Sequence, residues 1–155
     1  MNLFIVPKGG KFVVQDKKER VIYTIKKKSF GSKYILYDAS SYELYSLVQT
    51  VNGKKPSFEI ILNDKPIMLM QCLSVFLDPS FECRGSDMNF QLKSKNRKAF
   101  KIIKNGHEVG SLNTVVMMTG ELQYEITIND KDFDDYVSLF AIAIDRAFGD
   151  INKSK

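Results

Sequence analysis

The chain has 155 residues, 44% of them hydrophobic and 26% charged, a composition that suits one soluble domain with a single substantial core. Its formal charge of +5, from 23 Lys+Arg against 18 Asp+Glu, falls within the range of about 2–8 that keeps a small domain soluble, so it does not by itself demand a polyanionic partner. Two cysteines and one histidine exclude a disulfide framework, a zinc cluster of ordinary spacing and any site built on paired histidines.

The opening run Met1-Asn-Leu-Phe-Ile-Val-Pro7 has no basic leader, only a short apolar stretch and no small-residue cleavage site, so no secretory signal is expected. No apolar stretch anywhere reaches the roughly 18–20 residues needed to span a bilayer. Free cysteines fit a reducing compartment, and a cytoplasmic protein is the simplest expectation. Eleven Phe and seven Tyr, with four Pro and no Trp, favour strands over a helical bundle.

Dense β-branched and aromatic residues predict strands over Lys11–Gln15, Arg20–Lys28 and Lys33–Asp38, separated by the charged turn Asp16–Glu19 and the break Phe30-Gly-Ser32. Four more are expected over Glu43–Gln49, Phe58–Leu62, Ile67–Cys72 and Phe76–Cys83, with Pro66 suited to a first strand position. Met88–Leu92, Ala99–Ile103, His107–Leu112 and Leu122–Ile128 complete the series, and Asn105-Gly106 is the clearest hairpin signal. Cys72 reads as a small buried hydrophobe and His107 as an exposed hairpin residue. Roughly a dozen strands at spacings near 8–12 residues mean a sandwich or a barrel. An internal echo points to two related halves. Phe58-Glu-Ile-Ile-Leu-Asn-Asp-Lys65 parallels Tyr124-Glu-Ile-Thr-Ile-Asn-Asp-Lys131, and Lys33–Asp38 can be laid near Lys98–Ile103.

The one long helical pattern comes last, over Asp132–Phe148. Asp132, Asp134 and Asp135 suit its positive end, Arg146 its last turn, and Gly149 a left-handed stop. Apolar residues from Tyr136 to Phe148 surround the axis, leaving Ser138 and Asp145 on one narrow stripe. A helix apolar all round is buried, and Asp145-Arg146 disfavours lipid as the medium. A closed barrel around this helix satisfies both observations. Asp145 then needs a partner, for which Arg84, Arg97 or a backbone amide are the candidates.

These elements, together with Val21-Ile-Tyr-Thr-Ile-Lys26, Tyr34-Ile-Leu-Tyr-Asp38 and the closing Ile144-Asp-Arg146, resemble the LURP-one-related proteins of the superfamily that includes tubby and the phospholipid scramblases. The resemblance runs through nearly the whole chain in order of elements. It implies a mainly β fold, a twelve-stranded closed antiparallel barrel around a buried C-terminal helix. It spans one domain over residues 1–150, with a polar tail at 151–155. Tubby-type domains bind phosphoinositides and scramblases act at membranes, but the cysteine cluster that scramblases carry is absent, which argues against lipid scrambling. Fold kinship alone does not transfer an activity.

The chemistry in the sequence is sparse. No Gly-x-Ser-x-Gly elbow accompanies His107, no phosphate-cradling glycine loop is present, and Gly9-Gly10 reads as a turn. The expectation is therefore a non-enzymatic binding domain without metal or cofactor. Its candidate anion or lipid-headgroup site is Lys26, Lys27, Lys28 and Lys33, where strand alternation places Lys26 and Lys28 on one side. The partner readings are an anionic lipid headgroup, with the protein peripheral at a membrane, or a protein docked on the loops. Nucleic acid stacked on Tyr34, Tyr37, Tyr42 and Tyr45 ranks below both.

Overall fold

The computed structural model describes residues 1–28 and 32–153, so Phe30 and Gly31 of the expected break, and Ser154 and Lys155 of the expected tail, lie outside the described residues. Twelve antiparallel strands close into a barrel in simple sequence order. The first half comprises β1 (Asn2–Lys8), β2 (Lys11–Gln15), β3 (Val21–Lys27), β4 (Lys33–Asp38), β5 (Glu43–Val51) and β6 (Ser57–Leu62). The second comprises β7 (Lys65–Ser74), β8 (Ser80–Gly85), β9 (Asn89–Ser94), β10 (Ala99–Lys104), β11 (His107–Val116) and β12 (Leu122–Ile128). One helix, α1 (Ser138–Lys153), follows. The echoing segments fall on β6 and β12 and on β4 and β10, pairs on opposite sides of the barrel.

Alternation builds the wall. On β9, Phe90 and Leu92 face the core while Asn89, Gln91 and Lys93 face out; Tyr124, Ile126 and Ile128 do the same on β12. Asn105 (φ 50°) and Gly106 (φ 85°) are both left-handed, the conformation a two-residue hairpin turn requires. Pro66 is the second residue of β7 rather than the first, and the ladder shifts register between Ile60 and Ile61 where it meets the proline. Gly110 is needed for close approach: a Cβ there would lie 2.1 Å from the Thr127 carbonyl oxygen on β12.

Two strand expectations need correction. β1 is a full strand that closes the barrel by pairing Asn2 with Thr127 and Ile5 with Tyr124. Its local pattern carries no turn-bounded alternation, and its partner is at the far end of the sequence. The expected strand Phe76–Cys83 begins only at Ser80, because residues 75–79 form the β7–β8 turn. Asp78, at φ 50°, and Pro79 set that turn against the apolar run.

The helix is buried but differently bounded. Residues 138–144 are all buried, and none of the three acids expected to start the helix caps it. Asp130–Asp132 and Asp135–Val137 are separate 3-10 turns, and the second runs directly into α1. Gly149 does not stop the helix. It lies inside α1, where a Cβ would come within 3.0 Å of the Asp145 carboxylate, so it makes room rather than a boundary. The expected polar tail at 151–155 is helical through Lys153, and buried Asn152 donates to the Arg97 carbonyl at 2.9 Å. Ring contacts tie this segment to several sides of the wall. Tyr136 meets Tyr45 on β5, Phe140 meets Phe90 on β9, and Phe148 meets Phe81 on β8 and Phe100 on β10. Among the described residues, no helix is long and apolar enough to cross a membrane.

Candidate anion-binding surface

Alternate hairpins of an antiparallel meander lie at the same end of the barrel, so the two ends can be read separately. At the end where α1 begins, three acids have partners. Tyr23 donates to Asp135, Tyr45 donates to Asp134 at 3.3 Å, and Lys104 pairs with Asp132 at 3.6 Å. Burial and then the neighbouring carboxylates push the Tyr45 hydroxyl up to about 12 and move Tyr23 in the same direction.

The candidate lysines are at the other end. Lys26 faces outward on β3 and directly opposes Lys11 on β2, which in turn opposes Lys8 on β1. Its ammonium lies 5.5 Å from the centre of the Tyr37 ring, a cation–π contact that holds it on the wall. Lys27 falls on the inward alternation, opposite Tyr34, but at the rim, where it is exposed. Lys28 lies just past the strand, with its N–H donating to the Lys33 carbonyl at 2.9 Å, and half-buried Lys33 opens β4. The structure therefore keeps the four on one hairpin but splits them between the outer wall and the rim. None of them, nor Lys8 or Lys11, forms an ion pair among the described residues. Lys8 and Lys11 escaped the sequence reading because only strand register brings them beside Lys26.

A second like-charged pair is on the far wall. Lys93 on β9 opposes Lys101 on β10 beside a groove of about 890 Å³, also lined by Leu73, Lys95, Ala99 and Ile103. Lys101 pairs with Glu108 at 3.6 Å.

The remaining candidates resolve into structural roles. The Tyr124 hydroxyl donates to Asp145 at 2.5 Å, so the partner is neither Arg84, which pairs with Glu82 at 2.5 Å, nor Arg97, whose carbonyl serves Asn152. Burial holds the Asp145 carboxyl above its ordinary value despite the hydrogen bond that opposes the shift. Cys72 and Cys83 are both buried free thiols; burial pushes Cys72 up to about 11 and raises Cys83 as well, which suppresses the reactive thiolate. His107 is exposed. The four tyrosines share no stacking face: Tyr34 is buried, Tyr37 lies under Lys26, Tyr42 is on an exposed turn and Tyr45 is bonded to Asp134. No group of three or more His, Cys, Asp or Glu is placed to hold a metal among the described residues.

The architecture defines a closed meander barrel enclosing an apolar helix. Residues 1–145 match the family described as LURP-one-related, and the chain belongs to that family. Among solved structures, it is similar to the X-ray structure of a protein from Arabidopsis thaliana, with 12% identity, 97% of this chain and 90% of that chain covered, and a TM-score of 0.63. At that identity the likeness concerns the fold. No curated protein matches the sequence.

Proposed function

We propose that this chain is a non-enzymatic, cytoplasmic binding domain, peripheral at a membrane, that recognises an anionic phospholipid headgroup through Lys26, Lys27, Lys28 and Lys33, extended by Lys8 and Lys11. The observation that carries this reading is the cross-strand row Lys8, Lys11, Lys26, which has no carboxylate partner among the described residues. Like charges directly opposite one another cost a sheet stability, and a bound phosphate relieves that cost. Each lysine near an anionic surface contributes about 1 kcal/mol, so two charge removals weaken binding by more than tenfold.

Cosedimentation with phosphatidylserine-containing vesicles tests the proposal. Binding is expected to fall steeply as salt rises and to drop in Lys26→Ala/Lys33→Ala. Absence of binding at low ionic strength removes the reading. A protein partner on the same loops is the second reading, favoured by the sparse site chemistry. No vesicle binding at low ionic strength, together with affinity capture of one reproducible protein partner that Lys26→Ala/Lys33→Ala releases, would favour it.

A further inference from the structure

The end of the barrel where α1 finishes carries large apolar side chains as well as lysines. β7 and β11 are the two ten-residue strands, and the turns that follow them end in apolar tips. In the β7–β8 turn Phe76 is 68% exposed and Leu77 86%, while buried Val75 and Pro79 anchor its base. The Ser74 hydroxyl donates to the Leu77 carbonyl at 2.5 Å, which fixes the turn with both side chains directed outward. In the β11–β12 turn Met118 is fully exposed, above exposed Val115 and Val116. That turn is also tied down, with Met117 N–H donating to the Glu121 carbonyl at 2.8 Å and Gly120 N–H to the Met117 carbonyl at 2.9 Å.

Between these tips lies the β9–β10 turn, bearing Lys95, Arg97 and Lys98. Backbone bonds place the three turns side by side: Ser94 N–H donates to the Pro79 carbonyl at 2.9 Å and Thr114 N–H to the Lys98 carbonyl at 2.6 Å. Asn152 of α1 holds the Arg97 carbonyl from inside. The acids on this edge are Asp78 and Glu121, on the two flanking turns. Exposed apolar side chains on two turns flanking a basic turn present together the two chemistries of an anionic bilayer, acyl chains for the tips and phosphates for the cations. The Lys26–Lys33 hairpin is on the opposite side of the same end.

We infer that the edge formed by residues 75–79, 95–98 and 117–121 is a membrane-insertion edge, in which Phe76, Leu77 and Met118 enter the acyl region of an anionic bilayer while Lys95, Arg97 and Lys98 contact its phosphates. The inference shares the anionic bilayer with the proposed function but rests on a different surface and on apolar burial.

The chain contains no Trp, so Phe76→Trp introduces the only indole. Vesicles of phosphatidylcholine with phosphatidylserine are expected to shift its emission to the blue, and brominated acyl chains to quench it. Leu77→Ser and Met118→Ser are each expected to weaken binding roughly tenfold, with unchanged melting because both residues are exposed. The remaining binding of the serine variants is expected to be more salt-sensitive than that of the wild type. Wild-type binding with an unshifted, unquenched indole and unchanged serine variants overturns the insertion edge and leaves the lysine reading standing. Binding that depends on the apolar tips but is unaffected by Lys26→Ala/Lys33→Ala supports the edge and removes the lysine site. Loss of a self-associated species in the serine variants, without any vesicle binding by the wild type, assigns the tips to a second copy of the chain and overturns both proposals.

Discussion

The two ends of the barrel are made by the same device, a short turn between antiparallel strands, and differ in how their charges are partnered. Where α1 begins, the acids are partnered: Asp134 and Asp135 accept from tyrosines on β5 and β3, and Asp132 pairs with Lys104, although Lys18, Lys65 and Lys131 at that end stand exposed without ion pairs among the described residues. Where α1 finishes, Lys26, Lys27, Lys28, Lys54, Lys55 and Lys95 stand exposed without ion pairs among the described residues. A charge satisfied internally serves the fold, whereas one left unpaired beside others of its own sign is available to a ligand.

The contrast can be broken most severely from between the ends. Phe140→Asp places an unpaired charge against Phe90 in the fully buried core, at a cost comparable to a domain's whole stability of about 5–15 kcal/mol. Loss of a cooperative thermal transition is expected; a wild-type melt would mean that α1 is not in the interior. Next in size, Tyr23→Phe strips Asp135 of its donor and should cost about 1–3 kcal/mol in urea denaturation. Lys27→Ala at the opposite end should stay within about 0.5 kcal/mol. Equal losses in the two variants would abolish the distinction between the ends.

Two pH effects are smaller. The Asp145 carboxyl is raised in the folded state, so its contribution to stability is fully present below the ordinary carboxylate value of 3.8 and is lost as pH rises through the folded value. Asp145→Asn is therefore expected to melt at or above wild type at neutral pH, and its advantage should vanish in acid. Tyr45 keeps its proton up to about 12 against an ordinary 10, so its stabilisation is present below 10 and lost as pH rises through the folded value. Tyr45→Phe should flatten that alkaline fall, as read from urea midpoints between about pH 9 and 11.5.

Local pattern carried most of the fold. Strand residues and turn chemistry such as Asn105-Gly106 marked the hairpins, and the all-round apolar segment marked a buried helix. The misreadings arose where tertiary contacts reassigned local signals. The acids near 132–135 look like caps, but two of them bond to tyrosines on the wall. Gly149 looks like a stop, but it accommodates the Asp145 carboxylate. The surface features were less legible because they depend on register and topology. Lys8, Lys11 and Lys26 become one row only once three strands are aligned. Phe76 and Leu77 scan as strand residues until Asp78-Pro79 turns the chain and leaves them outside.

The seam between β1 and β12 has a consequence for how the molecule forms. Asn2 pairs with Thr127, so the first strand has to wait for the last before the wall is complete. Such a long loop closure makes folding slow and opposes piecemeal assembly during synthesis. A nascent chain halted before β12 would present two open strand edges and an apolar lumen without its helix, both strong templates for aggregation.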